Sequence, residues 1–367
     1  MQSLEGALTS LAASLLPGGR LVSWEPLRPD AAGADEEKAL GYGSPVRITV
    51  QDEEGNVRRF VFRTEAQNEF GHERLSDRMA EALVSWELFN RMPDHVRAVD
   101  VGALNGAGRP VSLRGAGEPY LVTEWIEGTC YADDLRRVAR DAALGPLDVA
   151  RAEVLARWLV QLHAERLDDA SRWRRAVRDL VGAGEGIFGL VDGYPPETPA
   201  APEERLRAIE ERCLAWRWRL RGRPRRLART HGDFHPFNIL FRPGGDGLQL
   251  AMLDASRGGQ GDPADDVTAL AVNFVFFAAE RRSAWRPALA VLWRRFWEVY
   301  LAGTRDPGVL DTAPPFLAWR ALVVSCPRFY PGLGAPARDL MLTLAERALD
   351  NGRLDLDLPD RLLAEGH

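Results

Sequence analysis

The sequence predicts an α/β (α+β) fold in two lobes, a small strand-rich N-terminal one and a larger, mainly helical C-terminal one. Three observations carry this. Up to about residue 125 the apolar residues alternate over short runs, and a single long stretch has helical spacing. Beyond it the apolar period is that of helices almost throughout. The length of 367 residues is ample for two such bodies. The first lobe is placed at 1–125 and the second at 126–367, with an arginine- and tryptophan-rich insertion at about 167–230.

Each element follows in turn. Residues 1–18 read as a short helix ended by Pro17-Gly18-Gly19, and residues 21–24 as a first strand. Residues 28–38 are polar and read as an exposed loop. Gly41-Tyr42-Gly43-Ser44-Pro45 is a glycine turn leading into residues 46–50, which alternate like a strand. Glu54-Gly55-Asn56 is a turn and residues 59–63 return, so 46–63 forms a hairpin. Residues 77–92 carry Met79, Leu83, Trp86 and Phe89 at helical spacing. Residues 120–123 read as a buried strand running into Glu124-Trp125-Ile126. Residues 151–166 form a core helix on Val154, Leu155, Trp158, Leu159 and Leu162. The insertion breaks at its Pro/Ala-rich residues 195–202, and further helices fall at 266–280, 285–301, 316–326 and 338–349.

Composition narrows the function. The net charge of −6 argues against a general nucleic-acid binder. No apolar run reaches the roughly 18 residues of a membrane span. The N-terminus has no basic segment ahead of its apolar residues, so it reads as a helix and not as a signal peptide. Three scattered cysteines fit reduced thiols in the cytoplasm and exclude a cysteine-rich zinc site. Lysine occurs once, at Lys38; the other basic residues are arginine.

The chemistry is concentrated in His231-Gly232-Asp233-Phe234-His235-Pro236-Phe237-Asn238, which fits H-x-D-x-x-x-x-N, the catalytic-loop pattern of kinase-type phosphoryl transfer. The apolar Ile239-Leu240-Phe241 follows at once, and a second apolar run, 248–253, ends in Asp254. Asp233 has the place of the group that orients or deprotonates the attacking hydroxyl. Asn238 and Asp254 offer the hard oxygen donors that Mg²⁺ prefers. A surface turn with polar residues would need neither the flanking strands nor the second carboxylate.

These residues resemble the aminoglycoside phosphotransferase and choline kinase-like family, which shares the protein-kinase-like fold. The family's H-G-D-x-H-x-x-N is matched at every fixed position, and Gly232 stands where protein kinases have arginine. Its second signature, an apolar strand ending in Asp followed by G-D-P-x-x-D, is met by Met252-Leu253-Asp254 and by Gly261-Asp262-Pro263-Ala264-Asp265-Asp266. Leu162-His163 also resembles the family. The resemblance implies an ATP-dependent transfer of the γ-phosphate to a hydroxyl of a small molecule, with Mg²⁺; the charge and the apolar-run lengths given above argue against nucleic acid and membrane as partners. It implies that Asp266 buttresses the catalytic loop; on the residues alone, Asp266 is equally a helix N-cap, a role Asp265 could fill. It implies that Gly41, Gly43 and Ser44 cover the phosphates and that Glu124 and Ile126 read adenine through their backbone.

One departure stands out. The family's third strand carries a lysine that grips the α- and β-phosphates and pairs with a helix glutamate. Here the aligned position is Arg63, with Glu81 as its partner and Glu73 and Glu87 as rivals. Arginine keeps the charge but is planar and forked. Lys38, beside the glycine turn, is the alternative cation. The rival to an enzyme is therefore a nucleotide-binding pseudokinase or scaffold without turnover, although Asp233, Asn238 and Asp254 are all intact. A protein kinase proper is disfavoured by Gly232 and by the lack of an A-P-E segment after Asp254.

Other patterns carry less. Gly184-x-Gly186-x-x-Gly189 fits the dinucleotide fingerprint, but residues 173–180 before it read as a charged helix and not a strand. The P-loop sequence is absent, and His231 and His235 sit in a proline-containing loop that suits metal binding poorly. Trp173, Trp216 and Trp218 either line an acceptor pocket or pack helices. The arginines from Arg217 to Arg226 read as a solvated face, and Asp350, Asp355, Asp357 and Asp360 as acidic residues that would suit a cationic acceptor.

Overall fold

A computed structural model of the chain describes residues 4–27, 45–64, 66–68, 71–93, 95–119, 121–255 and 259–364. The chain divides into two compact units, Met1–Thr123 and Glu124–His367. The structure is mixed α/β, with small antiparallel sheets and a preponderance of helix.

In the first unit, helix α1 (Leu4–Leu15) packs on a three-stranded antiparallel sheet in the order β1 (Arg20–Pro26), β2 (Val46–Gln51), β3 (Val57–Phe62). Val46, Ile48 and Val50 are buried against Leu8, Leu11, Ala12 and Leu16, while Arg47 faces out, the period of two that the sequence displays. The hairpin register opposes Val46 to Phe62 and Gln51 to Val57. Its turn is held by Asp52, whose carboxylate accepts the N–H groups of Glu54 and Asn56. Helix α2 (Leu75–Arg91) and the pair β4 (Gly102–Leu104) and β5 (Pro110–Ser112) complete the described elements.

One expectation is corrected in this unit, the buried strand at 120–123. The helix read from the spacing of Met79, Leu83, Trp86 and Phe89 forms as α2, although it buries none of its residues. Its start is fixed by polar capping instead: the Asp77 carboxylate accepts the N–H of Arg74 at 2.7 Å. Residues 121–123 are not a buried strand. Leu121 is 87% exposed and Val122 80%, and no described strand pairs with them. An apolar run becomes a strand only where a neighbour satisfies its backbone. Tyr120 lies outside the described residues.

The second unit opens with β6 (Thr129–Cys130) and helix α3 (Tyr131–Asp141), continues with α4 (Asp148–His163), and carries the insertion as α5 (Ala170–Gly182), α6 (Ile187–Asp192) and α7 (Glu203–Arg221). Short strands β7 (Ala228–Arg229), β8 (Ile239–Phe241), β9 (Leu250–Met252) and β10 (Gln260–Gly261) alternate with loops. Helices α8 (Pro263–Ala279), α9 (Ala290–Thr304), α10 (Ala313–Ser325), α11 (Ala335–Asp350) and α12 (Leu358–Ala364) follow, and a single π-helical turn, Trp285–Leu289, leads into α9. Strands β6, β8 and β9 form one antiparallel sheet, and β7 pairs with β10.

Helix α8 is apolar almost all round and nearly every residue of it is buried, so it is the axis of this unit's core. Within the insertion Trp173 and Trp216 are core residues. Their indole N–H groups donate to the carbonyls of Leu220 and Leu349. Trp218 is exposed, with Arg217 and Arg221 stacked on its ring. Arg226 departs from the solvated face: it bonds both carboxylate oxygens of Asp262, at 2.8 and 3.0 Å, and also reaches Asp306.

The glycine pattern at 184–189 is a packing device. Helix α5 precedes it, and a Cβ at Gly186 would lie 2.3 Å from the Asp179 carbonyl, so glycine lets α6 start directly against the end of α5. Three of the acidic residues near the C-terminus are engaged with neighbours: Asp350 pairs with Arg212, Asp355 with Arg361, and Asp360 with Trp285 and Arg294.

Candidate functional site

The segment 231–238 is held from below by Asp266. Its carboxylate accepts the backbone N–H of His231 at 2.7 Å and of Gly232 at 2.8 Å. Asp266 is fully buried in the first turns of α8, and the N-cap role falls to Asp262, whose side chain accepts the N–H of Ala264. Behind Asp266, His163 at the end of α4 sets its Nε2 3.1 Å from Oδ2 and its Nδ1 2.8 Å from the Tyr300 hydroxyl. Burial pushes the Tyr300 pKa up, so its hydroxyl stays protonated and donates to Nδ1, which turns the Nε2 proton toward the carboxylate. Gly232 has φ +82°, a left-handed conformation that glycine adopts without strain.

Asp233 is 8% exposed. Its Oδ1 accepts from Arg320 Nη1 at 2.7 Å, and its backbone N–H reaches His231 Nδ1 at 3.3 Å. Its Oδ2 lies 3.4 Å from both His235 Nε2 and Asn238 Nδ2. Asn238 also donates from Nδ2 to the Asp233 carbonyl at 3.1 Å, which leaves its Oδ1 as the atom with lone pairs to offer.

Strands β8 and β9 then bring the second carboxylate alongside. Ile239 opposes Met252, and the Leu253 N–H donates to the Asn238 carbonyl at 2.9 Å, extending the ladder by one bond. Asp254 is the next residue. It is exposed, has φ +52°, and no group among the described residues pairs with its carboxylate. Aspartate is among the few non-glycine residues that tolerate this conformation. Cys130, at the end of the third strand of this sheet, donates its thiol to the Pro236 carbonyl at 3.4 Å.

The structure therefore gathers Asp233, Asn238 and Asp254, with Asp266 behind them. Among the described residues no group of three or more His, Cys, Asp or Glu could hold a metal ion. Of the expected nucleotide contacts, Gly41, Gly43, Ser44 and also Lys38 lie outside the described residues. Arg63 follows β3 in the first unit, and its guanidinium lies 3.5 Å from Ser85 Oγ and over the Phe89 ring. Glu81 is exposed on α2 one turn before Ser85. Glu124 and Ile126 lie in irregular backbone ahead of β6.

Sequence reasoning missed Arg320. It was detectable as the one charged residue of α10, in an otherwise apolar run, where a cation is buried only if paired.

The phosphotransferase enzyme family model matches residues 47–305. The chain belongs to this family. Membership makes it a phosphotransferase. Among solved structures it is similar to a glucosamine kinase bound to glucosamine, ADP and inorganic phosphate, at 18% identity over 94% of this chain and 99% of that one, with a TM-score of 0.42. It is similar to an aminoglycoside phosphotransferase from Streptomyces rimosus, at 18% identity over 88% and 99% of the two chains and a TM-score of 0.33. It is also similar to a choline/ethanolamine kinase family protein from Mesorhizobium loti, at 14% identity over 99% and 98% and a TM-score of 0.37. A search of curated proteins gives no match. No described helix of this family member is long and apolar enough to cross a membrane.

Proposed function

We propose that Asp233 orients the acceptor hydroxyl for in-line attack on the γ-phosphate and that Asn238 Oδ1 and the Asp254 carboxylate hold Mg²⁺. The observation that carries this reading is the bond from Leu253 N–H to the Asn238 carbonyl, taken with the Asn238 amide on Asp233. Together they relate three residues, distant by up to twenty-one positions in sequence. Both proposed donors are hard oxygen atoms. Two protein ligands suffice for an ion that keeps waters and takes its remaining oxygens from phosphate. Bound there, Mg²⁺ would neutralise charge on the transferring phosphates.

The residues themselves supply positioning. The buried Asp233 carboxylate accepts the acceptor's O–H, and the loop that carries it is fixed by Asp266 before any substrate arrives, so alignment costs little at the moment of reaction. Arg63 is the proposed grip on the α- and β-phosphates, with Glu81 as its carboxylate, Gly41, Gly43 and Ser44 over the phosphates, and the backbone of Glu124 and Ile126 on adenine. Nucleic acid and membrane have no part in the reaction, and the setting is cytoplasmic.

Calorimetric titration with ATP and Mg²⁺ tests this, repeated on Arg63→Ala and Lys38→Ala. Saturable, magnesium-dependent binding that is lost in Arg63→Ala is expected. An unliganded titration curve for the wild type would refute the reading.

A further inference from the structure

Arg320 joins three segments that meet at Asp233. From α10, its Nη1 donates to Asp233 Oδ1 at 2.7 Å, and its Nη2 to the Gly232 carbonyl at 2.9 Å and to Asp265 Oδ1 at 2.6 Å. Its guanidinium carbon sits 4.0 Å from the Trp319 ring centroid. The side chain is 5% exposed, and among the described residues its Nε has no hydrogen-bond partner. Burial works against its charge, yet the carboxylates of Asp265 and Asp233 outweigh that and raise its pKa.

For stability alone this is a poor arrangement. A buried guanidinium with an unsatisfied donor is costly, and well-packed apolar residues serve a core as well or better. Its geometry is specific in another respect. The forked guanidinium grips the carboxylate of Asp233 and the carbonyl of the preceding residue at once, so both the side-chain rotamer and the peptide plane before it are fixed. Lysine, a point charge, cannot hold both.

We infer that Arg320 is a positioning residue for phosphoryl transfer, holding the Asp233 carboxylate in the orientation that aligns the attacking hydroxyl. The inference rests on the role proposed above for Asp233. It extends the reactive array to a helix some ninety residues downstream of the catalytic loop, and it ties Asp265, adjacent to Asp266, into the same network.

The test measures phosphate release from Mg-ATP with water as the acceptor, for wild type, Arg320→Ala and Arg320→Lys, beside calorimetric Mg-ATP affinity and thermal melting. In Arg320→Ala kcat should fall by about 100-fold while KM for ATP stays within about threefold. Guanidinium ion at a non-denaturing concentration should restore part of the lost kcat, and Arg320→Lys should be intermediate. If Arg320→Ala does not fold, the folded Arg320→Lys variant carries the comparison. Near wild-type kcat in the variants would overturn the inference. So would a loss confined to KM, or a kcat loss in folded Arg320→Ala that neither guanidinium nor lysine relieves. A wild type that binds no Mg-ATP would refute the functional reading as well, whereas an active wild type with indifferent variants would refute the Arg320 role alone.

Discussion

The Asp266 carboxylate accepts the backbone N–H of Gly232 at 2.8 Å, and that of His231 beside it, from the first turns of a buried helix. Two main-chain donors that water cannot reach thus depend on one side chain. Asp266→Ala should lower unfolding stability by about 3 kcal/mol, as each orphaned donor costs about 1–3 kcal/mol. Asp266→Asn, which keeps one acceptor oxygen, should lose less. Urea denaturation measures both, and equal stability of Ala and wild type would show that the loop holds itself.

Asp233→Asn and Asp254→Ala should each reduce turnover at least by about 100-fold while the far-UV spectrum and melting curve stay close to wild type. Asp254 is exposed at a strand end, so its removal opens no cavity. Steady-state kinetics with saturating ATP decides the matter; a variant at near-full rate would dismiss that residue from the reaction.

Gly232→Ala places a Cβ on a residue with φ +82°. A destabilisation of about 1 kcal/mol or more is expected, because the native conformation is one alanine resists. Since the same residue precedes Asp233 and accepts from Arg320, turnover should fall further than stability does. A variant with unaltered kcat would mean that the peptide plane there is irrelevant to the chemistry.

Thiol titration offers a check of the packing. Cys213 and Cys326 are fully buried, and burial pushes the Cys213 thiol up to about 12. The reactive thiolate is therefore suppressed in the native state at pH 8. Cys130 should react first with a disulfide reagent, and all three only in denaturant. Three fast thiols in the native protein would contradict the helical core.

Trp173→Ala should cost about 3–5 kcal/mol, as a large core truncation does, whereas Trp218→Ala should change stability by about 0.5 kcal/mol or less. The comparison separates the buried tryptophan's neighbourhood from the exposed one's by melting temperature.

Much of this was legible in the sequence for a physical reason. The residues proposed for phosphoryl transfer are few and close in sequence, so one loop and one strand end display them. The hairpin at 46–62 and helices α4, α9 and α11 were visible from the periodicity of their apolar residues, and α8 and α10 from long, nearly unbroken apolar runs. Helix α3 is hard to see in the sequence because Tyr131, Leu135 and Val138 form only a narrow apolar stripe among charged residues. The run 120–123 misled because apolar composition signals burial only when a partner exists. Arg320 and His163 act through space, from helices 87 and 103 residues away from their partners Asp233 and Asp266, and local sequence does not display such pairings.

The β8–β9 hairpin pairs Asn238 with Leu253, the residue before Asp254, at its open end, while its closed end is a turn with Gly244, Gly245 and Gly247 all at positive φ, exposed at Gly244 and Gly245. Separation of the two ends makes that turn a natural insertion point. A peptide tag or a fluorescent reporter spliced between Gly244 and Gly245 leaves the register of the strands, and with it the spacing of the two oxygen donors, unchanged.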